Sequence, residues 1–299
     1  MKTDLYSLEF TPDDNIGYAV GAAGTVLRTF DAGATWHQQP VLGSEALHGV
    51  SFPEDELLGY VCGAGGLIAR TVDGARTWQR LNSGVTSDLH RILFPHSQQT
   101  GFAAGNDGIV LTTADGGATW TRCRIGTSVR LCGLDFPVDH VTGYVAGQQG
   151  AIYKTTDGGV HWFLRNAHPA GPVRLDIRSI HFPDNDEIGY AVGSEGRSLC
   201  TRDAGETWHE GMAPVRATLN STRFRSDMAT GLAVGDRGVI VRTLDGETWQ
   251  TSNSEVSADL YSVRLLGDAQ FAVCCGAEGT ILKCFDNGQT WLRCHILAD

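Results

Sequence analysis

The sequence predicts an all-β fold, a seven-bladed β-propeller with four antiparallel strands per blade and Asp-box hairpins between strands three and four. Three observations carry that prediction. An Asp-x-Gly-x-Thr-Trp-like segment recurs with its Asp at 31, 73, 115, 157, 203, 245 and 286, in steps of 42, 42, 42, 46, 42 and 41 residues. A Gly-x-x-Gly turn precedes every copy: Gly21 to Gly24, Gly63 to Gly66, Gly105 to Gly108, Gly147 to Gly150, Gly193 to Gly196, Gly235 to Gly238 and Gly276 to Gly279. Runs of four to seven residues rich in β-branched and aromatic side chains lie between Gly-rich breaks, and no stretch sustains a 3.6-residue period. Self-similarity at a fixed period of this length is the signature of a repeat architecture.

Each unit reads in order as an alternating inner strand that in six blades ends in Phe (LHGVSF, LHRILF, IRSIHF), a short second strand (GYAV, GYVA), the Gly-x-x-Gly turn, a third strand, the box, and an outer strand. The box Asp is expected to accept hydrogen bonds from backbone N–H groups of its own turn, with the following Gly supplying a positive φ. All seven tryptophans are box residues: Trp36, Trp78, Trp120, Trp162, Trp208, Trp249 and Trp291. One four-stranded sheet cannot bury both of its faces, so the units are expected to stack into a ring in which each covers its neighbour. The blades fall at about 4–42, 43–84, 85–127, 128–172, 173–215, 216–256 and 257–297 of one domain spanning 1–299. The first unit opens on its inner strand (LYSLEF) and the last closes on its outer strand (TWLRC), so blades one and seven are expected to meet without a shared strand.

The formal net charge of −11 argues against nucleic acid and against anionic lipid, since both are held by neutralising phosphate with Lys and Arg. No run of 18 apolar residues suggests membrane insertion. The N-terminus enters a repeat at once with no apolar leader segment, so the cytoplasm is the default expectation and the periplasm stays open. The eight cysteines include no Cys-x-x-Cys pair, and no cofactor is expected. Cys274, Cys275, Cys284 and Cys294 fall on successive strands of the last blade, where pairing or metal binding stays open.

The seven boxes together with the GYAVGxxGTIxxT phrase resemble the BNR/Asp-box superfamily, most closely the photosystem II stability/assembly factor-like proteins, over about residues 5–294. The resemblance implies the propeller fold, because the shared residues build turns and core, and leaves function to the positions where repeats differ. Box six departs by lacking one residue between Asp245 and Trp249, and blade seven has Val273 in place of the Tyr of the GY phrase.

Catalysis is not expected. The resemblance to sialidases lacks their arginine cluster and Tyr nucleophile, and the xyloglucan-cleaving relatives use two facing propellers. Glycoside hydrolysis needs a carboxylate pair flanking the sugar, and the box aspartates are committed to turns. A lectin would need free aromatic faces at equal steps, and the aromatics outside the box, GY and strand-ending columns (Tyr6, Phe30, Tyr153, Phe163, Tyr261, Phe271, Phe285) do not recur so.

The second-to-third-strand turns and the links into the inner strands share one rim, and the boxes share the other. On the first rim the inner-strand column reads Tyr6, His48, His90, Cys132, Arg178, Asn220 and Tyr261, in which two histidines lack a third ligand for a metal. The link after Trp162 is four residues longer than its equivalents and carries Arg165, His168 and Arg174. Arg122, Arg124 and Arg130 on one side, Arg216 on the other, and the turn residues Gln148 and Gln149 complete a candidate partner-binding rim over blades three to five. The box rim is acidic, with Asp13, Asp14, Glu54, Asp55, Glu56, Asp184, Asp186 and Glu187 in its loops. Arginine's planar fork suits bidentate capture of carboxylates. The sequence therefore points to a non-enzymatic scaffold, monomeric on its own, that binds a protein or an acidic peptide. The alternative is a carbohydrate-active Asp-box protein, hydrolase or lectin.

Overall fold

The structure, a computed structural model, describes residues 2–95, 97–165, 175–183, 185–267 and 270–297. Seven sheets stand around an axis, each with four antiparallel strands in chain order from the axis outward, and the first carries a fifth strand on its outer edge. The inner strands Leu5–Phe10, Leu47–Ser51, Leu89–Leu93, Leu131–Asp135, Ile177–His181, Leu219–Phe224 and Leu260–Leu266 each touch the next, and the last touches the first. Among the described residues the only helical segments are three-residue 3-10 turns, one at each Gly-x-x-Gly.

That turn is built for close approach. A Cβ on Gly193 would lie 1.9 Å from the backbone oxygen of Asp176, just before the inner strand, and Gly196 holds φ +71. The box works through its carboxylate: Asp31 accepts from the Thr35 amide at 2.9 Å and the Thr35 hydroxyl at 2.6 Å, and the Trp36 indole donates to Gly33 at 3.1 Å. Those hydroxyl and amide bonds hold the Asp73 and Asp115 carboxyls down near 2, with Thr77 and Thr119 as the leading causes.

Blades are joined by a relay of rings. The GY aromatic of one blade stacks on the strand-ending Phe of the next, as Tyr144 on Phe182 at 3.9 Å, and that Phe meets its own box Trp edge-on, as Phe182 and Trp208 at 5.9 Å. Such pairs contribute about 0.5–1.5 kcal/mol each beyond area burial. The tyrosine hydroxyl then donates to the following blade, as Tyr144 to the Ala204 carbonyl at 2.8 Å and Tyr18 to that of Glu56 at 2.7 Å. Small polar side chains satisfy the inner edges: the hydroxyls of Ser179 and Ser221 accept from Thr222 and Val263 of the next blade, both at 3.3 Å.

Ring closure corrects one expectation. After the outer strand Trp291–Arg293 the chain continues into His295–Leu297, which lies parallel to the outer strand of blade one and pairs His295 with Thr35, Ile296 with Trp36 and Leu297 with His37. Ile296 there packs against the core of Leu8, Phe10, Trp36 and Val273. The outer strand of blade one would otherwise be an open edge, and the C-terminal segment covers it. An ion pair between Arg264 and Glu9 at 2.5 Å joins the same two blades near the axis.

Candidate functional site

Every inner strand contains a β-bulge at its start, where the register shifts across the residue following the leading Leu or Ile. A bulge re-aims side chains. It follows the pattern of two polar or small residues between apolar ones, as in Leu89-His90-Arg91-Ile92. The residue after the leading Leu or Ile thereby faces the axis in all seven blades, and Tyr6, His48, His90, Cys132, Arg178, Asn220 and Tyr261 line one cavity of about 370 Å³ at the mouth of the channel.

Two further residues line it, Arg91 and Arg130. Arg91 lies one step past the bulge of blade three, and the sequence reading missed it. Arg130 precedes the inner strand of blade four, a position held by Asp4, Asp88, Asp176 and Asp259 in blades one, three, five and seven. Those aspartates accept from the amide at the preceding turn tip: Asp88 from Gly65 at 2.8 Å, Asp176 from Gln149 at 3.1 Å, Asp259 from Arg237 at 2.8 Å and Asp4 from Glu278 at 2.9 Å. Blade four thus puts a cation into a column otherwise rich in anchoring carboxylates. The Nε atoms of Arg130 and Arg178 are buried without a hydrogen-bond partner, and the Arg178 fork lies 3.7 Å from Asp176.

Burial disfavours the charged form of both histidines. Burial, more than any neighbour, lowers His48 and takes His90 down to about 4, and the charges of Arg130 and Arg91 push the same way. Their rings lie 5.2 Å apart; His48 Nδ1 is 3.1 Å from the Leu89 carbonyl and His90 Nε2 is 2.9 Å from Asn106 Oδ1. Opposite the arginines, Tyr6 and Tyr261 face each other at 5.6 Å. The mouth therefore has a cationic sector over blades three to five and an aromatic sector over blades seven and one.

Below it the channel is charged. Asp135, Arg223, His181, Arg264 and Glu9 share one level of the inner strands. Burial pushes the Asp135 carboxyl up to about 6 against the pull of Arg223, and takes Arg223 down to about 9 with help from Arg264. Burial also depresses His181, whose Nδ1 accepts from the Phe224 amide at 3.2 Å.

The remaining rim residues spread outward. Arg122 and Arg124 are exposed on and after the outer strand of blade three, with Arg122 donating to the Asp107 carbonyl at 3.3 Å. Gln148 and Gln149 form the turn tip of blade four, where Gln148 Oε1 accepts from the Arg130 amide at 3.3 Å. Arg216 is exposed in the link into blade six. Arg165 is drawn away from the mouth into an ion pair with Glu206 of the next box at 2.9 Å. His168, Arg174 and Asp184 lie outside the described residues. Among the described residues all eight cysteines are free, no three His, Cys, Asp or Glu side chains gather as a metal site, and no helix is long and apolar enough to cross a membrane.

The model of the photosynthesis system II assembly factor YCF48 family matches the chain at residues 1–86, 44–134 and 125–212. The chain belongs to that YCF48 family. No curated protein matches it in sequence. Among solved structures, YCF48 from Cyanidioschyzon merolae superposes with TM-score 0.75 at 20% identity, covering 95% of this chain and 96% of that one. A structure described as YCF48 bound to D1 peptide gives 0.75 at 17% identity, over 94% of this chain and 93% of that one. The GH74 enzyme of Niastella koreensis shares the fold at TM-score 0.78 and 14% identity; the match covers 97% of this chain and 53% of the enzyme. A GH74 xyloglucanase from Xanthomonas campestris does likewise, over 97% of this chain and 54% of its own. At these identities the likeness is one of fold.

Proposed function

We propose that this YCF48-family propeller is a non-catalytic scaffold that holds an acidic peptide segment of another protein across the channel mouth of blades three to five. The observation that carries the reading is the convergence of Arg91, Arg130 and Arg178 on one open cavity that has no carboxylate among the described residues lining it. Arginine forks with unused donors in a partly desolvated site favour a carboxylate ligand. Tyr6 and Tyr261 offer an apolar and aromatic wall to the residue beside it. A family member described as bound to a D1 peptide supports a peptide as the kind of ligand. Arg122, Arg124, Gln148, Gln149 and Arg216 would extend the contact outward, with Arg165 restrained by Glu206. A glycosidase reading finds no support among the described residues that line the cavity, which include no carboxylate, and the aspartates nearby are bound to turn-tip amides.

The test is fluorescence anisotropy with a labelled hexapeptide of alternating Asp and Ala. The Arg130→Glu, Arg178→Glu pair is expected to weaken binding by more than about tenfold, equivalent to about 1.4 kcal/mol, while Asp73→Asn on the opposite rim leaves it unchanged. Equal affinity in the mouth variant and the wild type would refute the site, and binding to xyloglucan oligosaccharides instead would favour the carbohydrate reading.

A further inference from the structure

The repeat supplies its own template for a second site. Across the second and third strands four blades pair a Tyr with the residue facing the next blade: Tyr18 with Arg28, Tyr60 with Arg70, Tyr144 with Lys154 and Tyr190 with Cys200. In blade one the buried Arg28 guanidinium lies 5.3 Å from the Tyr18 ring and donates to the Gly74 carbonyl of the next box at 3.1 Å. In blade four the buried Lys154 ammonium lies 5.9 Å from the Tyr144 ring and 2.9 Å from the Glu206 carboxylate of the next box. In blades one and four a cation between a ring face and an acceptor thus fills this space.

Blade five keeps the walls and omits the cation. Tyr190 stacks on Phe224 at 3.5 Å and donates to the Met228 carbonyl at 2.5 Å, so the ring sits as in its counterparts. Glu247 stands immediately before the box Thr and Trp, the place Glu206 holds one blade earlier. Cys200 touches the Tyr190 hydroxyl but brings no cation, and between blades five and six a cavity of about 490 Å³ opens, lined by Tyr190, Cys200, Arg202, Glu210, Glu247 and Trp249 among others. Glu247 is held at the surface by Arg202 at 3.0 Å, with side chains 73% and 54% exposed, and so exposed a pair is easily exchanged.

We propose that this cavity binds a primary alkylammonium group, entering where Lys154 sits in the preceding blade and pairing with Glu247 against the Tyr190 ring. The head group is that of a lysine side chain on a partner or of a free amine. Because the site lies on the flank between blades five and six, it is independent of the channel mouth.

Trp249 lines the cavity, so its indole N–H resonance reports occupancy. Titration with n-butylammonium is expected to move that resonance saturably, with n-butanol, of the same shape and uncharged, at least about tenfold weaker. Cys200→Lys should fill the space from within and abolish the response, Cys200→Ser should retain it, and Glu247→Gln, an exposed change that spares the core, should weaken it about threefold. A capped Ala-Lys-Ala peptide that gives the same response assigns the site to a partner's side chain; a response to n-butylammonium alone assigns it to a free amine. Equal response to n-butanol, a response unchanged by Glu247→Gln, or none at all overturns the proposal.

Discussion

Asp135→Asn isolates the charged level of the channel. The Asp135 carboxyl accepts from the Phe182 amide at 2.7 Å, feels Arg223 and Arg264, and is pushed up to about 6 because burial outweighs those arginines. An unfolded Asp titrates near 3.9, so the folded state resists ionisation over about two pH units, a cost of about 3 kcal/mol. The sign follows from the raised value: this stability is fully present below pH 4 and is lost as pH rises through 6. Asn keeps the amide contact through its carbonyl oxygen and has nothing to ionise. With an unfolding entropy of about 2.1 cal/mol/K per residue, 3 kcal/mol over this chain corresponds to about 5 °C in Tm. Thermal unfolding of both proteins at pH steps from 4 to 8 should show the wild type falling by about 5 °C relative to the variant between pH 4 and pH 7. Parallel profiles would refute the assignment of that cost to Asp135.

Three more outcomes follow from the repeat. Blade seven puts Cys284 where the other boxes have Thr, and its sulfur accepts from the Gly288 amide at 2.8 Å; sulfur is a weak acceptor, so Cys284→Thr should stabilise by about 1 kcal/mol in urea unfolding. Ending the chain at Cys294 removes the half-buried Ile296 from the core of blade one and bares a strand edge, so stability should drop by about 1–2 kcal/mol and light scattering should report self-association. Gly193→Ala forces a Cβ to 1.9 Å from a backbone oxygen and should cost about 2–3 kcal/mol in the same urea assay, although φ at Gly193 is extended and open to any residue.

The architecture was legible because its cause is local. The Asp, Gly and Trp of each box act within a single turn, and a 42-residue spacing places them on equivalent strands without any long-range information. The aromatic columns were legible as core; that Tyr144 also donates across to blade five was not, because a hydroxyl's partner 60 residues away leaves no mark on its own repeat. The mouth column was read correctly as a column, and its meaning came from the bulge. Two polar or small residues between apolar ones, as in His90-Arg91 and Arg178-Ser179, break strict alternation and signal that both turn toward the axis, a signal that would have found Arg91. Arg165 shows the opposite case: its position in the lengthened link suggested the rim, and an acidic residue in the next box, Glu206, draws it aside. The strand His295–Leu297 escaped notice because it is three residues long and has no counterpart in the other units. Cys200 is unremarkable among eight cysteines until it is set beside Arg28, Arg70 and Lys154 in register.

The scaffold reading is tested most directly by mapping where an acidic peptide touches the intact chain. Backbone amide NMR during titration with the Asp-Ala hexapeptide should perturb the inner-strand starts of blades three to five, around His90, Arg91, Arg130, Cys132 and Arg178, with smaller shifts at Tyr6 and Tyr261. Shifts confined to the box rim, or to the outer strands away from the channel, would contradict the account.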